Sequence, residues 1–313
     1  MSLEWKKINS ENHISVRFGH TAVLYQKRLI VFGGLAKLTM NTGPYFLQDI
    51  EIFNVEDKVW STSIVSRSTL KLRRNHVAIL VGMYLIYFYR FNIKLISNFY
   101  CVGSQMFIHG GVGDDEEYFG DCGVFLIVSQ KWFSCPVSEK TPPPILSNHT
   151  CCLVFPHEIR NNSKMSIYKL PDLKVNRRPE KVSNYYDYQK RISIPGIYVY
   201  GGQKNSNGDL NKDIFILRIG RKPLEWYKPQ ISGNAPRARY SHTMSFYEDG
   251  NFLIIHGGRN DSTDVSYALC DTFLLDLKLM EWIEVHVFSD TFSQVFNRCS
   301  HAAILNCNFQ YLI

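Results

Sequence analysis

Residues 240–282 read YSHTMSFYEDGNFLIIHGGRNDSTDVSYALCDTFLLDLKLMEW, and this stretch decides the fold. It begins near His242, passes through an apolar run into Gly257-Gly258, reaches Asp271 and closes on Trp282. A module of this kind, when it recurs in a fixed order, is the sequence signature of a repeat architecture. A fold built from this module needs further copies of it, and the chain contains them.

Three further copies of the module precede this one. The Asp-to-Trp separation is 11 residues in three of the four copies and 13 in the third copy, where residues 220–223 lengthen the turn. This regular order predicts one structural unit per copy. The three copies are His20, Gly33-Gly34, Asp49 and Trp60; His76, Gly110-Gly111, Asp121 and Trp132; and His149, Gly201-Gly202, Asp213 and Trp226.

Each copy predicts four β-strands. Residues 28–32 and 252–256 are apolar runs that end at glycine pairs, and residues 49–55 alternate before a turn. Residues 248–251 (EDGN) add the Asp-Gly signal of a hairpin between the first two strands. Hydrophobic residues make up 45% of the chain and aromatic residues 14%, which supplies a core and favours strands. The sequence therefore predicts an all-β fold.

Partial copies flank the four complete ones. Leu3-Glu4-Trp5 is similar to the closing strand of a module, and residues 298–313 open another copy at His301. If the N-terminal strand completes that last copy, it covers edge strands that would otherwise stay open. We therefore expect a single domain over residues 1–313 in which each copy of the module forms one four-stranded blade of a ring. This ring has five blades or is truncated. The expected blades are 17–66, 73–138, 147–231, 237–288, and a closing blade of 298–313 with 3–8.

These modules resemble the kelch repeat, in which a diglycine, an aromatic residue and a tryptophan recur about every 50 residues. The resemblance spans nearly the whole chain and implies a kelch-type β-propeller of four-stranded blades, with four full repeats and partial first and last ones. It also implies that the glycines allow close packing and that each tryptophan is buried between blades. The sequence departs from the pattern where a tyrosine usually stands between Asp and Trp, because Phe53, Phe125, Leu217 and Leu275 occupy those places.

Two insertions interrupt the rhythm between a first and a second strand. Residues 156–194 carry nine Lys and Arg against four acidic residues, and we expect a solvated, disordered loop there. Residues 83–102 are rich in Tyr, Phe, Ile, Leu and Asn. Arg90 and Lys94 near their middle argue against a membrane helix. This composition is what AT-rich codons encode, and we interpret the segment as an unspliced intron.

Charge and cysteine usage exclude several classes of protein. The net charge of +7 falls to +2 outside residues 156–194, which is not a nucleic-acid footprint. The eight cysteines form no CxxC pair, and no histidine is spaced to complete a zinc site. The first residues lack the apolar core of a signal peptide. We expect reduced thiols and a location in the cytoplasm, with the nucleus as the alternative.

Catalytic motifs are missing from the sequence. It contains no GxGxxG, P-loop, GxSxG or HExxH pattern in a suitable context. One histidine per blade would stand too far from the next for a shared ion, and we expect each to satisfy a backbone group within its own blade. The sequence thus predicts no catalytic residue, no metal and no cofactor. A galactose-oxidase-like enzyme on the same fold stays as the alternative.

The resemblance implies recognition through loops on one face of the propeller. The loops between second and third strands are residues 35–48, 112–120, 203–212 and 259–270. They and the neighbouring turns hold charges of both signs, which suits a charged peptide. The residues predicted to contact a partner are Arg73, Arg74, Asp114, Asp115, Glu116, Glu117, Arg237, Arg239 and Arg259.

The sequence therefore predicts a non-enzymatic scaffold that binds other proteins, and neither nucleic acid nor a membrane. A substrate adaptor of a ubiquitin ligase, a cytoskeletal linker and a signalling scaffold are all compatible with this prediction.

Overall fold

The computed structural model forms two compact units. The first comprises Met1–Phe91, Tyr100–Pro136 and Pro143–Ser147, and the second comprises Asn92–Phe99, Val137–Pro142 and Asn148–Ile313. The residues that the structure describes are 7–10, 12–36, 43–63, 69–81, 104–154, 193–219, 223–247, 251–261, 267–285, 297–306 and 309–312.

The first unit contains two four-stranded antiparallel sheets, blades 1 and 2. A small sheet of β1 (Arg17–Phe18), β4 (Leu35–Ala36) and β5 (Tyr45–Phe46) lies beside blade 1, and a 3-10 turn spans Asp114–Glu116. Blade 1 consists of β2 (Thr21–Tyr25), β3 (Arg28–Phe32), β6 (Ile50–Asn54) and β7 (Val59–Thr62), in that spatial order. Blade 2 consists of β8 (Val77–Val81), β9 (Gln105–His109), β10 (Cys122–Leu126) and β11 (Lys131–Ser134), likewise in order.

The second unit repeats this arrangement in blades 3 and 4. Blade 3 consists of β12 (Thr150–Val154), β13 (Gly196–Tyr200), β14 (Ile214–Arg218) and β15 (Glu225–Tyr227). Blade 4 consists of β17 (Thr243–Tyr247), β18 (Phe252–His256), β21 (Thr272–Asp276) and β22 (Glu281–Val285), with β16 (Ser232–Gly233) added in parallel to β22. The hairpins β19 (Arg259–Asn260) with β20 (Tyr267–Ala268), and β23 (Ala303–Asn306) with β24 (Phe309–Leu312), complete the unit.

The second strand of a blade carries most of its core. All five residues of β9 and all five of β13 are buried, whereas β11 exposes three of its four residues. In the first unit Phe32 and Ile30 of blade 1 pack in one cluster with Met106 and Phe125 of blade 2. In the second unit Tyr200 and its neighbours form the corresponding cluster with blade 4. A strand buried on both faces explains the continuous apolar runs before each glycine pair.

Linkers cover the outer strands of three blades. The Asn12 side chain donates to the Trp60 carbonyl on β7, Ser138 donates its backbone N–H to Leu224 beside β15, and β16 pairs with β22. An outer strand presents unpaired backbone groups that invite aggregation, and these contacts occupy part of them.

The predicted all-β fold of four-stranded antiparallel kelch-type blades is confirmed, since every described regular element except one 3-10 turn is a strand. Residues 83–102 and 156–192 of the two insertions lie outside the described residues, so both interpretations stay predictions. Ser193 and Ile194, at the end of the second insertion, are described, and Ile194 packs against the core. No helix in the described part of the chain is long and apolar enough to span a bilayer. The predicted domain boundaries and the number of blades likewise stay predictions.

Candidate interaction surface

A buried arginine anchors the turn at the start of three blades. Arg73 donates from both Nη atoms to the carboxylate of Asp121, at 2.7 and 2.8 Å, and also to the Gly110 carbonyl at 2.9 Å. Arg239 does the same with Asp271, at 2.6 and 2.9 Å, and Arg17 with Asp49, at 2.7 and 2.9 Å. A bidentate pair fixes both direction and distance. It therefore holds the turn before the first strand against the start of the third strand.

This geometry corrects the predicted role of Arg73 and Arg239. Both side chains are 0% exposed, and both are bound to an aspartate of their own blade. The prediction that they contact a partner from a loop face is therefore wrong. They were assigned to the surface because charged residues beside turns are usually solvated.

The sequence held a signal for these pairs. An arginine stands three residues before the first histidine in four of five repeat starts, at Arg17, Arg73, Arg239 and Arg298, and Leu146 takes its place in the third copy. A charged residue at a recurring repeat position beside a recurring aspartate indicates an internal pair rather than a binding surface. Arg17 is the anchoring residue that sequence reasoning missed.

Three of the five repeat-start histidines bond to a threonine of the neighbouring blade. His76 Nε2 lies 2.8 Å from Thr21 Oγ1, His242 Nε2 lies 2.7 Å from Thr150 Oγ1, and His301 Nε2 lies 3.3 Å from Thr243 Oγ1. The expectation that such histidines act within their own blade is wrong for these three. Burial, reinforced by the nearby arginine, lowers the pKa of His76 and of His242 to about 3. Both rings are therefore neutral at physiological pH.

These low pKa values predict an acid-sensitive fold. The unfolded chain protonates its histidines near pH 6.5 whereas the folded chain does not, so their contribution to stability is complete above about pH 6.5 and is lost as the pH falls toward 3. At pH 5 we expect each to lower the free energy of unfolding by about 2 kcal/mol relative to pH 7. Urea titrations across this range should show a shallower pH dependence for His242→Gln. Equal slopes for the wild type and His242→Gln would contradict the assignment.

Glycine pairs allow the blades of one unit to approach each other. A Cβ on Gly33 would lie 3.0 Å from the Arg73 carbonyl oxygen and 3.2 Å from the His76 ring. The N–H of Gly34 donates to that same carbonyl at 3.0 Å. The tryptophan of blade 2 packs on the aromatic residue that precedes this glycine pair of blade 1. The ring centroids of Trp132 and Phe32 are 5.1 Å apart. Trp226 and Trp282 are buried, whereas Trp60 and Trp132 are half-buried.

In the first unit an exposed acidic loop lies beside the turn that Arg73 anchors. Asp114, Asp115, Glu116 and Glu117 are all exposed, and Lys71 Nζ binds Glu117 at 2.6 Å. Near the end of this loop Phe119 is buried. The Arg73 guanidinium lies 4.5 Å from the centroid of the Phe119 ring. Arg74 is half-buried, and its backbone pairs with Val112 at the base of the loop. Of the residues predicted here, the four acids and Arg74 adjoin one loop.

The second unit presents a different set of charges. Arg237 is exposed, and Arg259 binds Asp261 at 2.6 Å with both side chains 41% exposed. The Tyr240 hydroxyl donates to Asp261 as well, and burial together with that carboxylate raises the pKa of Tyr240 to about 12. Arg259 and Tyr240 are also paired through their backbones. Arg237 and Arg259 therefore stay candidates for contact.

No three His, Cys, Asp or Glu side chains among the described residues are placed to hold a metal ion. Burial raises the pKa of Cys122 and Cys151, and it raises the pKa of Cys152 to about 12, so these thiols stay protonated. A protonated, buried thiol is a poor nucleophile.

The repeated four-stranded blades, joined by glycine pairs and His–Thr bonds, define an all-β repeat protein of the kelch-type β-propeller class. Comparison with known proteins agrees with this class. The domain described as the KLHDC2/KLHL20/DRC7 Kelch-repeats domain matches residues 193–313. This match covers the last 121 residues and supports a kelch-repeat family.

Two curated relatives and one solved structure are similar to this chain. Dynein regulatory complex subunit 7 of Chlamydomonas reinhardtii is 31% identical over 88 residues, 28% of this chain and 7% of that protein. The leucine-zipper-like transcriptional regulator 1 homolog of Drosophila melanogaster is 24% identical, over 95% of this chain and 29% of that protein. The structure of YjhT matches with a TM-score of 0.60 and 14% identity, over 95% of this chain and 76% of that chain, which shows the fold alone. The chain thus spans less than a third of either relative's length.

Proposed function

We propose that this chain is a non-enzymatic interaction module that binds partner proteins through its strand-start turns and the loops between second and third strands. The observation that carries the proposal is the combination of buried anchors and exposed tips. Arg73 and Arg239 hold the loop bases rigidly, while Asp114–Glu116 and Arg237 stay exposed. Charged loops on a rigid scaffold give specific recognition without a large ordering cost.

The relatives support this proposal through their names. One is a subunit of a regulatory complex and the other a homolog of a transcriptional regulator, and neither name states an enzymatic activity. Neither nucleic acid nor a membrane is part of the proposal. The six cysteines that the structure describes are free thiols, which supports a cytoplasmic or nuclear location.

The test is capture of partners from lysate on the immobilised whole chain, with charge reversals in each unit. We expect a small, reproducible set of proteins to bind, and we expect Arg237→Glu with Arg259→Glu, or Asp114→Lys with Glu116→Lys, to remove some of them. Glu56→Lys with Asp57→Lys is the control, since these two exposed residues lie in the β6–β7 turn. Capture of ubiquitin-ligase subunits would assign the adaptor role.

A folded chain that captures nothing, but keeps a stoichiometric metal or cofactor through purification, would instead favour the enzyme alternative. Mass spectrometry of the same preparation measures whether such a metal is bound.

A further inference from the structure

Exposed apolar residues of the first unit precede the first strands of blades 1, 2 and 3. Val16, Leu72 and Ile145 are 87, 42 and 52% exposed, and each stands four residues before a first-strand histidine. Phe18, two residues after Val16, is 53% exposed. Single exposed apolar residues are ordinary, but the recurrence of one at the same repeat position marks a surface. We call these four residues the apolar patch.

The members of the apolar patch are linked through their neighbours. Gly19, next to Phe18, accepts the Asn75 N–H at 2.7 Å, and a Cβ on Gly19 would lie 3.0 Å from the Arg74 Cβ. A Cβ on Gly113 would lie 3.1 Å from the Leu72 carbonyl oxygen, and one on Gly120 would lie 3.1 Å from Ile145 Cγ1. The loop that begins at Gly113 and ends at Gly120 therefore runs between Leu72 and Ile145.

That loop gives the apolar patch an acidic rim. Asp114, Asp115 and Glu116 are exposed, and none of their carboxylates is ion-paired with a described residue. Two described cations adjoin the loop: Lys71 binds Glu117, and Arg74, whose backbone pairs with Val112, is half-buried. The side of the patch that faces this loop thus has unbalanced negative charge. Opposite charge on a partner steers its approach, and like charge repels it.

We propose that the apolar patch and its acidic rim bind a partner segment that combines basic side chains with large apolar ones. The apolar side chains cover Val16, Phe18, Leu72 and Ile145, and lysine or arginine side chains reach Asp114–Glu116. This assignment rests on the proposed interaction function and gives it a partner chemistry. It replaces the mixed-charge surface expected from sequence, because Arg73 is buried and Lys71 is paired.

A random peptide library displayed on phage tests this assignment with the whole chain as bait. We expect enrichment of sequences that carry Lys or Arg beside Leu, Ile or Phe, and weaker binding of the enriched peptides at high salt. Fluorescence anisotropy should show affinity falling about tenfold or more in Asp114→Lys with Glu116→Lys, and to a similar degree in Leu72→Ser with Ile145→Ser. Glu56→Lys with Asp57→Lys makes the same charge change in the β6–β7 turn and should retain the wild-type affinity. Circular dichroism and urea midpoints establish that each variant folds.

Three outcomes would overturn the assignment: enrichment of acidic peptides, enriched peptides that ignore both patch variants, or a folded chain that enriches nothing. In each case the interaction function survives if lysate partners still bind the whole chain, and it falls as well when lysate capture is also blank.

Discussion

Replacing Asp271 with alanine is expected to lower the free energy of unfolding by about 3 kcal/mol. The reason is the charge that the substitution leaves behind. The Arg239 side chain is 0% exposed, and both of its Nη atoms donate to the Asp271 carboxylate. Without that carboxylate the guanidinium keeps neutral partners among the described residues, such as the carbonyls of Gly257 and Arg237 at 2.9 and 3.0 Å. A buried cation with no counter-charge is strongly destabilising.

Asp213→Ala in blade 3 is the matched control. Asp213 holds the same repeat position, but Leu146 replaces the arginine in that repeat's sequence, and Asp213 binds Lys228 at 2.6 Å instead. Side-chain exposures of 28 and 57% make this an ordinary surface pair, worth at most about 1 kcal/mol. Urea unfolding of the wild type and both variants measures the difference. Equal losses at the two positions would show that burial of the arginine does not matter.

Most of the fold could be predicted from sequence because its determinants recur. The apolar runs before Gly33-Gly34 and Gly257-Gly258 are the second strands of their blades, as their pattern indicates. Repetition turns a weak signal into a strong one, since four ordered copies cannot arise from a chance glycine pair. The tryptophans that close the modules lie on the last strands of their blades, as Trp132 and Trp282 show.

The site was harder to predict because its residues pair over long distances. Arg73 and Asp121 are 48 residues apart in sequence, and Thr21 and His76 are 55 apart. Each partner was visible as a recurring residue, but their contact depends on how strands of one blade, or of neighbouring blades, come together. Local pattern therefore assigned Arg73 to the surface and His76 to its own blade.

Two apolar residues are exposed although the sequence did not indicate it. Leu72 and Ile145 are of types that are usually buried, and nothing in their immediate neighbours marks them as exposed. Each of them stands directly before a buried residue of the repeat start, Arg73 or Leu146.

Replacing Gly201 with alanine tests the close approach of blades in the second unit, and we expect a loss of about 4 kcal/mol in the free energy of unfolding. A Cβ at this position would lie 2.4 Å from His242 Cε1 and 2.5 Å from the Arg239 carbonyl oxygen. The carbonyl cannot move freely, because it accepts the Gly202 N–H at 2.8 Å. The backbone φ of +67° adds strain for any residue with a Cβ.

Gly208→Ala separates these two effects. Gly208 also has a left-handed backbone, with φ +86°, but a Cβ there would meet nothing within 4 Å. The decrease in the free energy of unfolding of Gly208→Ala should therefore reflect backbone strain alone and amount to about 1 kcal/mol. The difference between the two variants in urea unfolding measures how tightly the glycine of blade 3 packs against the histidine of blade 4. If both variants lose the same free energy, the first glycine of the pair serves backbone conformation alone, and the close packing assigned to it is wrong.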